Sequence, residues 1–290
     1  MSHAKSQSRK GAGRKKPAVA VPRGADRVEQ YVDFACRVAQ LAGERILPFF
    51  RSSLTVDNKS ERGGFDPVTA ADRAAEEVIR SEIARVFPDH GIVGEEHGET
   101  DGGAELTWVI DPIDGTRSFI IGQLHWGVLI ALNDGRQPIV GVMHQPFVNE
   151  TFVGHPGGAA WRQGSARRPL RTRRCPRLED AIVCTTHPDQ FETRSERAAF
   201  GMVKAKSRMV RYGGDCYSYC LLAMGLVDVV IESGLYPYDV QAVIPIVKGA
   251  GGVMTDWSGA AADRGGQVVA AGDPELHQVV REILAWGRRG

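Results

Sequence analysis

No run of apolar residues in this sequence approaches the roughly 18–20 needed to cross a bilayer, which excludes a helical membrane protein. The first 25 residues lack the apolar stretch of a secretory signal. Cysteine is scarce and irregular. Cys36, Cys175, Cys184, Cys216 and Cys220 are odd in number, dispersed, and include no C-x-x-C pair. That fits reduced thiols in a reducing, cytoplasmic compartment better than a disulfide framework or a zinc site. Cys216 and Cys220 stand four apart and read as buried thiols on one helix face. There is no internal repeat, so the chain is not a repeat array.

Acid is missing from residues 1–25, which carry Lys5, Arg9, Lys10, Arg14, Lys15, Lys16 and Arg23. Such a tail attracts phosphates without sequence preference. It reads first as a disordered, solvated extension, and nucleic acid is not the expected partner. Its few apolar residues show no helical period, which argues against an amphipathic transit peptide. The rest of the chain holds 29 basic and 35 acidic side chains, a net of −6. A mildly acidic body is what a cation-holding protein needs. With 290 residues and 42% hydrophobic content the chain can bury a sizeable core, in one large domain or two smaller ones.

Apolar residues recur at helical spacing from Asp26 to Leu47 and from Thr69 to Phe87. Strands are predicted at Trp108–Asp111, His125–Leu132, Pro138–His144, Thr151–Gly154 and Ala159–Arg162, with Asn133-Asp134-Gly135 as a hairpin turn. Beyond residue 175 strands (Ile182–Thr185, Val227–Glu232, Val253–Asp256) alternate with helices (Cys216–Met224, Asp239–Gly249, Pro274–Trp286). The order suggests a helix-covered antiparallel half followed by an α/β half, an α+β class overall.

The most informative stretch is Asp111-Pro112-Ile113-Asp114-Gly115-Thr116. Two carboxylates three apart, bent by Pro and Gly, can converge with the Ile113 carbonyl into a set of hard oxygen donors suited to Mg²⁺. Gly115 and Thr116 can then present backbone N–H groups to a phosphate. Three further patterns are weaker alone. Gly94-Glu95-Glu96 reads equally as solvated glutamates. Asp72, after Asp66-Pro67-Val68-Thr69, lies on the first turn of a helix that Asp66 or Thr69 caps. Asp239 reads equally as a helix cap.

Together, in this order and with Ala250-Gly251-Gly252 after the last, the four patterns resemble the inositol monophosphatase superfamily over residues 28 to 285. The resemblance implies alternating α-β-α-β-α layers. It implies that Glu95, Asp111, Asp114, Asp239 and the Ile113 carbonyl ligate two or three Mg²⁺ ions, and that Asp72 and Thr116 position and activate the attacking water. Residues 26–148 would form the half carrying most ligands, and 149–290 the half supplying the last ligand and the substrate pocket. The family's usual Trp before the last Asp is Tyr238 here, and the following Ala and Gly are Gln241 and Ala242; these read as packing changes. Members are often dimers, which leaves a homodimer open. The implied reaction is hydrolysis of a small phosphate monoester by direct in-line attack of water, without a phosphoenzyme. No C-x₅-R pattern supports cysteine catalysis, and the acids are spaced Asp-x-x-Asp at mid-chain, unlike the haloacid-dehalogenase pattern.

Within the superfamily Arg117, Gly213-Gly214-Asp215 and Glu232 look like the histidinol-phosphate phosphatases. By that match Gly115, Thr116, Arg117, Gly213, Gly214, Asp215 and Glu232 bind substrate. Carboxylates beyond the metals would favour histidinol, a cationic amino alcohol, over neutral inositol. Arg117 reads equally as a structural ion-pair partner, Asp215 as a helix cap, and His125 and Trp126 as packing. The alternatives are an inositol or broad sugar phosphatase and a catalytically silent binding protein.

Overall fold

The computed structural model describes residues 25–53, 55–58, 67–100 and 104–287. The basic tail at 1–24 and Asp66 lie outside the described residues. Helix α1 (Ala25–Ile46) buries Val32, Ala35, Val38, Ala39, Ala42 and Ile46 completely, as its spacing predicts. Strands β1 (Val56–Asn58) and β2 (Pro67–Thr69) form a small antiparallel pair that leads into α2 (Ala70–Val86).

The first large sheet is built from β3 (Gly91–Gly94), β4 (Gly98–Thr100), β5 (Thr107–Asp114), β6 (Gly127–Asn133), β7 (Pro138–Gln145), β8 (Glu150–His155), β9 (Gly158–Gln163) and β10 (Ala166–Pro169). Their order is β10-β9-β8-β7-β6-β5-β3-β4, antiparallel except for β3 and β5. The second sheet contains β11 (Ile182–Thr185), β12 (Met209–Tyr212), β13 (Val229–Leu235), β14 (Val253–Asp256) and β15 (Gly266–Ala271). Its order is β12-β11-β13-β15-β14, with β12, β11 and β13 parallel. The remaining helices are α3 (Thr116–Ile120), α4 (Arg194–Lys206), α5 (Asp215–Ala223), α6 (Pro237–Val240), α7 (Val243–Gly249) and α8 (Pro274–Gly287).

Three apolar cores separate five layers. Along β5 the side chains alternate, so Trp108 and Ile110 join α1 and α2 in one core while Val109 faces the other way. The middle core sets Leu129 and Phe152 of the first sheet and Val230 and Val268 of the second against Cys220 of α5 and Ile246 of α7. The third packs Val183, Val229 and Val269 under Phe200 of α4 and Leu276 of α8. The result is the expected α-β-α-β-α stack. Glycine allows the central helices to lie on the first sheet. A Cβ on Gly141 would stand 1.9 Å from the Ala242 carbonyl oxygen, and one on Gly154 2.2 Å from the Ile246 nitrogen.

The structure departs from the sequence reading in three places. Strands β8–β10 continue the first sheet to Pro169, so the expected break at 148/149 falls inside that sheet. The helix expected over Asp239–Gly249 is two helices, α6 and α7. Pro245 has no N–H for the Gln241 carbonyl, and its ring crowds that carbonyl, so the chain breaks between them. Helix α4 and strands β1 to β4, β10, β12 and β15 are additional to the predicted elements.

Candidate active site

The C-terminal ends of parallel strands from both sheets meet in one place: β3 and β5 from the first, β11 and β13 from the second. Such ends are where α/β sheets bind ligands. Asp111 and Asp114 leave the end of β5. Asp111 Oδ1 accepts the Ile113 N–H at 2.9 Å. Asp114 Oδ2 accepts the Cys216 N–H at 2.7 Å, across from the start of α5. Gly115 follows with φ 85°, and a Cβ there would lie 2.5 Å from the His125 carbonyl oxygen. Asp239 is in the first turn of α6, where its Oδ2 accepts the Tyr236 N–H at 2.7 Å. It therefore both caps its helix and faces the site. The carboxylates of Asp111, Asp114 and Asp239 bring oxygen atoms within 4.8 Å of one another.

Glu95 follows β3, its N–H bonded to the Ile110 carbonyl at 3.3 Å, and lines the same cavity as Asp114 and Asp239. Its charge acts on Asp111, Asp114 and Asp239 alike. Burial first, and then repulsion from Glu95, Asp114 and Asp239, hold Asp111 well above the ordinary carboxylate range. Burial, then Asp114, does the same to Asp239. Burial, then Asp215, pushes Asp114 up to about 7. Asp111, Asp114 and Asp239, held together at this cost, suit a hard divalent cation, which removes the penalty for all three at once. The donors are oxygen only, which favours Mg²⁺ over softer metals.

Asp72 closes a capping box at the start of α2. Its Oδ2 accepts from the Thr69 N–H at 2.8 Å and the Thr69 hydroxyl at 2.6 Å. Its Oδ1 is buried and has no protein partner among the described residues. Burial pushes Asp72 up to about 6 against these bonds, with Glu95 adding repulsion. The Thr116 hydroxyl donates to the Ile113 carbonyl at 3.0 Å, which leaves its lone pairs to accept. Asp72 and Thr116 thus have separate protein partners.

A cavity of about 560 Å³ opens beside these groups. Among the described residues seven carboxylates line it, from Glu95, Asp114, Asp189, Glu192, Asp215, Glu232 and Asp239, against one guanidinium, that of Arg117. Asp215 does not cap α5. It occupies a left-handed backbone conformation at φ 43°, and its Oδ2 accepts from the Ser118 hydroxyl at 2.9 Å. Strain of this kind in a non-glycine residue gathers at functional sites. Glu232, at 1% exposure on β13, uses Oε1 for the Thr186 N–H at 2.9 Å and hydroxyl at 3.1 Å. Burial and Asp215 push it up to about 8.

Of the predicted substrate residues, Gly115, Thr116, Arg117, Asp215 and Glu232 line the cavity, whereas Gly213 and Gly214 are not among its lining residues. These two shape the turn into α5. Gly213 donates to the Thr185 and Thr186 carbonyls at 3.2 and 2.8 Å, and a Cβ on Gly214 would meet the Ser118-neighbouring helix at Ser218 Oγ, 2.2 Å away. Trp126 is fully buried against Phe50 and Phe119, a packing role. Gln241 bonds Asn133 and the Asp263 carbonyl, which accounts for that departure as packing too. The sequence reading missed Tyr219 and Thr186, which line the cavity. It also missed Glu76, which supports the Glu95 turn from behind. Tyr219 stands four residues after Asp215 and Glu76 four after Asp72, a helical spacing that could have found both.

No helix among the described residues is long and apolar enough to cross a membrane. All five cysteines are free and buried.

Comparison with known proteins follows the same lines. The chain is 42% identical over 260 residues to the bifunctional phosphatase IMPL2, chloroplastic, of Arabidopsis thaliana, covering 86% of this chain and 73% of that one. It is 37% identical over 229 residues to a histidinol-phosphatase of Chlorobaculum parvum, covering 79% and 86%. It is 33% identical over 266 residues to inositol monophosphatase 3 of Solanum lycopersicum, covering 89% and 97%. The solved structure of an inositol monophosphatase from Zymomonas mobilis matches with a TM-score of 0.80 at 39% identity, over 91% of this chain and 100% of that one. The model of the inositol monophosphatase family matches residues 27–285, a span that holds both sheets and the whole carboxylate cluster, and the chain belongs to that family.

Proposed function

We propose that the protein is a Mg²⁺-dependent phosphomonoesterase that hydrolyses L-histidinol phosphate to L-histidinol and phosphate. The observation that carries this reading is two kinds of carboxylate in one cavity. One set is the trio Asp111, Asp114 and Asp239, whose carboxylate oxygens lie within 4.8 Å of one another, with Glu95 lining the same cavity. The other, Asp215 and Glu232, lines the same cavity and is not part of that trio. Bound Mg²⁺ would supply positive charge at the phosphate and at the oxygens that enter and leave. Glu95, Asp111, Asp114 and Asp239 would hold it, with the Ile113 carbonyl as a further donor.

The chain's own residues do the rest. Asp72 offers its unpartnered Oδ1 to take a proton from the attacking water. Thr116 Oγ1, its proton committed to Ile113, accepts from that water and orients it. Asp215 and Glu232 receive the ammonium and imidazole of the leaving alcohol through charge-assisted hydrogen bonds. Relatives named histidinol-phosphatase in two organisms support this choice. A relative named bifunctional and three named inositol monophosphatases favour the second reading, a broader inositol or sugar phosphatase.

Phosphate release from histidinol phosphate, inositol 1-phosphate and glycerol 2-phosphate, before and after exhaustive chelation, tests both levels. The expected result is no turnover until Mg²⁺ is restored, and then the highest kcat/KM on histidinol phosphate. Full activity after chelation would sink the mechanism. A preference for inositol phosphate would sink the substrate assignment and leave the phosphatase reading standing.

A further inference from the structure

Helix α5 carries a polar group that the reaction above leaves unused. Tyr219 is 3% exposed, and its hydroxyl has no protein partner among the described residues. Leaving a buried polar group unpaired costs about 1–3 kcal/mol, so each such group calls for a reason. Packing does not supply one here, because phenylalanine would fill the same place in the middle core without the cost.

Glu232 repeats the pattern on the facing sheet. Thr186 occupies its Oε1 and the Gln190 amide lies beside the carboxylate, while Oε2 is buried and makes no hydrogen bond among the described residues. Both residues line the cavity that holds Asp215 and the cation ligands. Of the charges around Tyr219, Glu232 acts on it most strongly, ahead of Asp114 and Asp239. The phenol therefore shares the cavity with Glu232 and with Asp114 and Asp239. The phenol and the Glu232 carboxylate line one cavity, and no hydrogen bond joins them. Thr186 anchors the carboxylate from one side, and the body of α5 fixes the ring from the other. What remains is one hydrogen-bond donor and one acceptor, each without a partner among the described residues, on residues that line one cavity.

We propose that Tyr219 is a specificity-determining residue, whose hydroxyl and Glu232 Oε2 together bind a group of the substrate's alcohol portion that both donates and accepts hydrogen bonds. An imidazole or a hydroxyl meets that description, and an alkyl chain does not. The inference rests on the phosphatase reading and does not depend on which alcohol is the natural one.

Tyr219→Phe removes one oxygen and keeps the ring in place. Its melting temperature should equal or exceed that of the parent protein, because an unpaired buried group is gone. The kcat/KM for the preferred substrate should fall about tenfold, the scale of one neutral hydrogen bond. Turnover of ethyl phosphate, which has no polar group beyond the ester, should stay within about twofold. The free alcohol, tested as a competitive inhibitor, should lose affinity by the same factor as kcat/KM. Equal change on ethyl phosphate and the preferred substrate, or no change on either, overturns the proposal. If the parent enzyme prefers inositol phosphate and Tyr219→Phe loses that substrate alone, Tyr219 keeps its role and the histidinol assignment falls. If it prefers histidinol phosphate and Tyr219→Phe treats every ester as the parent does, the reverse holds.

Discussion

Glu76→Gln tests whether the turn that carries Glu95 is held from behind. Glu76 stands on α2 one turn after Asp72 and is fully buried. Its carboxylate accepts the Glu96 N–H at 2.8 Å and the His97 N–H at 3.1 Å, and pairs with Arg80 at 2.7 Å. Gly94 leaves the room for this, since a Cβ there would lie 2.2 Å from Glu76 Oε1. Glutamine copies the shape but carries one NH₂ group. Whichever way the amide turns, that group faces a donor, because N–H groups address both oxygens. At least one charge-assisted bond worth about 1.5–3 kcal/mol is lost. Arg80 also loses its ionic partner, and breaking a buried pair from one side costs about 3–5 kcal/mol in all. Glu95 should then be held less firmly. A tenfold weaker grip on Mg²⁺ lowers the stability gained from saturating metal by about 1.4 kcal/mol. Urea unfolding at several Mg²⁺ concentrations separates the two effects. A variant that is less stable yet gains as much from Mg²⁺ as the parent protein would refute the claim that Glu76 positions Glu95.

Thr116→Ala and Asp72→Asn should each lower kcat by about 10²–10⁴-fold, with Mg²⁺ binding by titration nearly unchanged; losses that multiply in the double variant would count against a shared proton-handling role. Gly154→Ala should cost at least about 2 kcal/mol by overpacking, because the new Cβ meets the backbone nitrogen of Ile246 at 2.2 Å, and an unchanged denaturation midpoint would contradict that close approach. His144 is 3% exposed, and burial lowers its pKa to about 4, while Nδ1 donates to the Glu150 carbonyl at 3.0 Å. Its unfolded value is higher, about 6.5. The neutral ring's contribution is therefore complete above that pH and is lost as pH falls through about 4, a change of about 3 kcal/mol. His144→Gln should flatten that part of the stability curve, and parallel curves for the two proteins would rule the cause out.

The acids of the site were legible because each sits in a short pattern whose Pro and Gly bend the backbone around it. Helices α1 and α2 were legible because their apolar residues keep one period over many turns. Strand β15 was not: Val268 to Ala271 are all buried, so no alternation betrays it, and its alanines carry little strand preference. Helix α4 hid behind Gly201 and many charges, although Thr193 and Glu196 form the capping box that announces its start. Pro245, in the first turn of α7, was visible as a breaker of any helix running back through Gln241, and the apolar period across it masked the signal. Tyr219 offered only its helical spacing from Asp215. Its meaning lies in a hydroxyl left unpaired, which only packing reveals.

The sharing of each core between distant parts of the chain sets the order in which the protein can be made. Residues before 148 begin the first sheet, but its edge strand β10 arrives only with Pro169. The face bearing Leu129 and Phe152 waits longer, until α5 and α7 emerge and cover it, the last of them ending at Gly249. On a ribosome that face has no native cover for most of synthesis. Pairings of such long reach form slowly, and an uncovered apolar sheet invites association with neighbouring chains. The same arrangement that brings Asp114 of β5 and Asp239 of α6 into one cavity makes the nascent chain dependent on its last third.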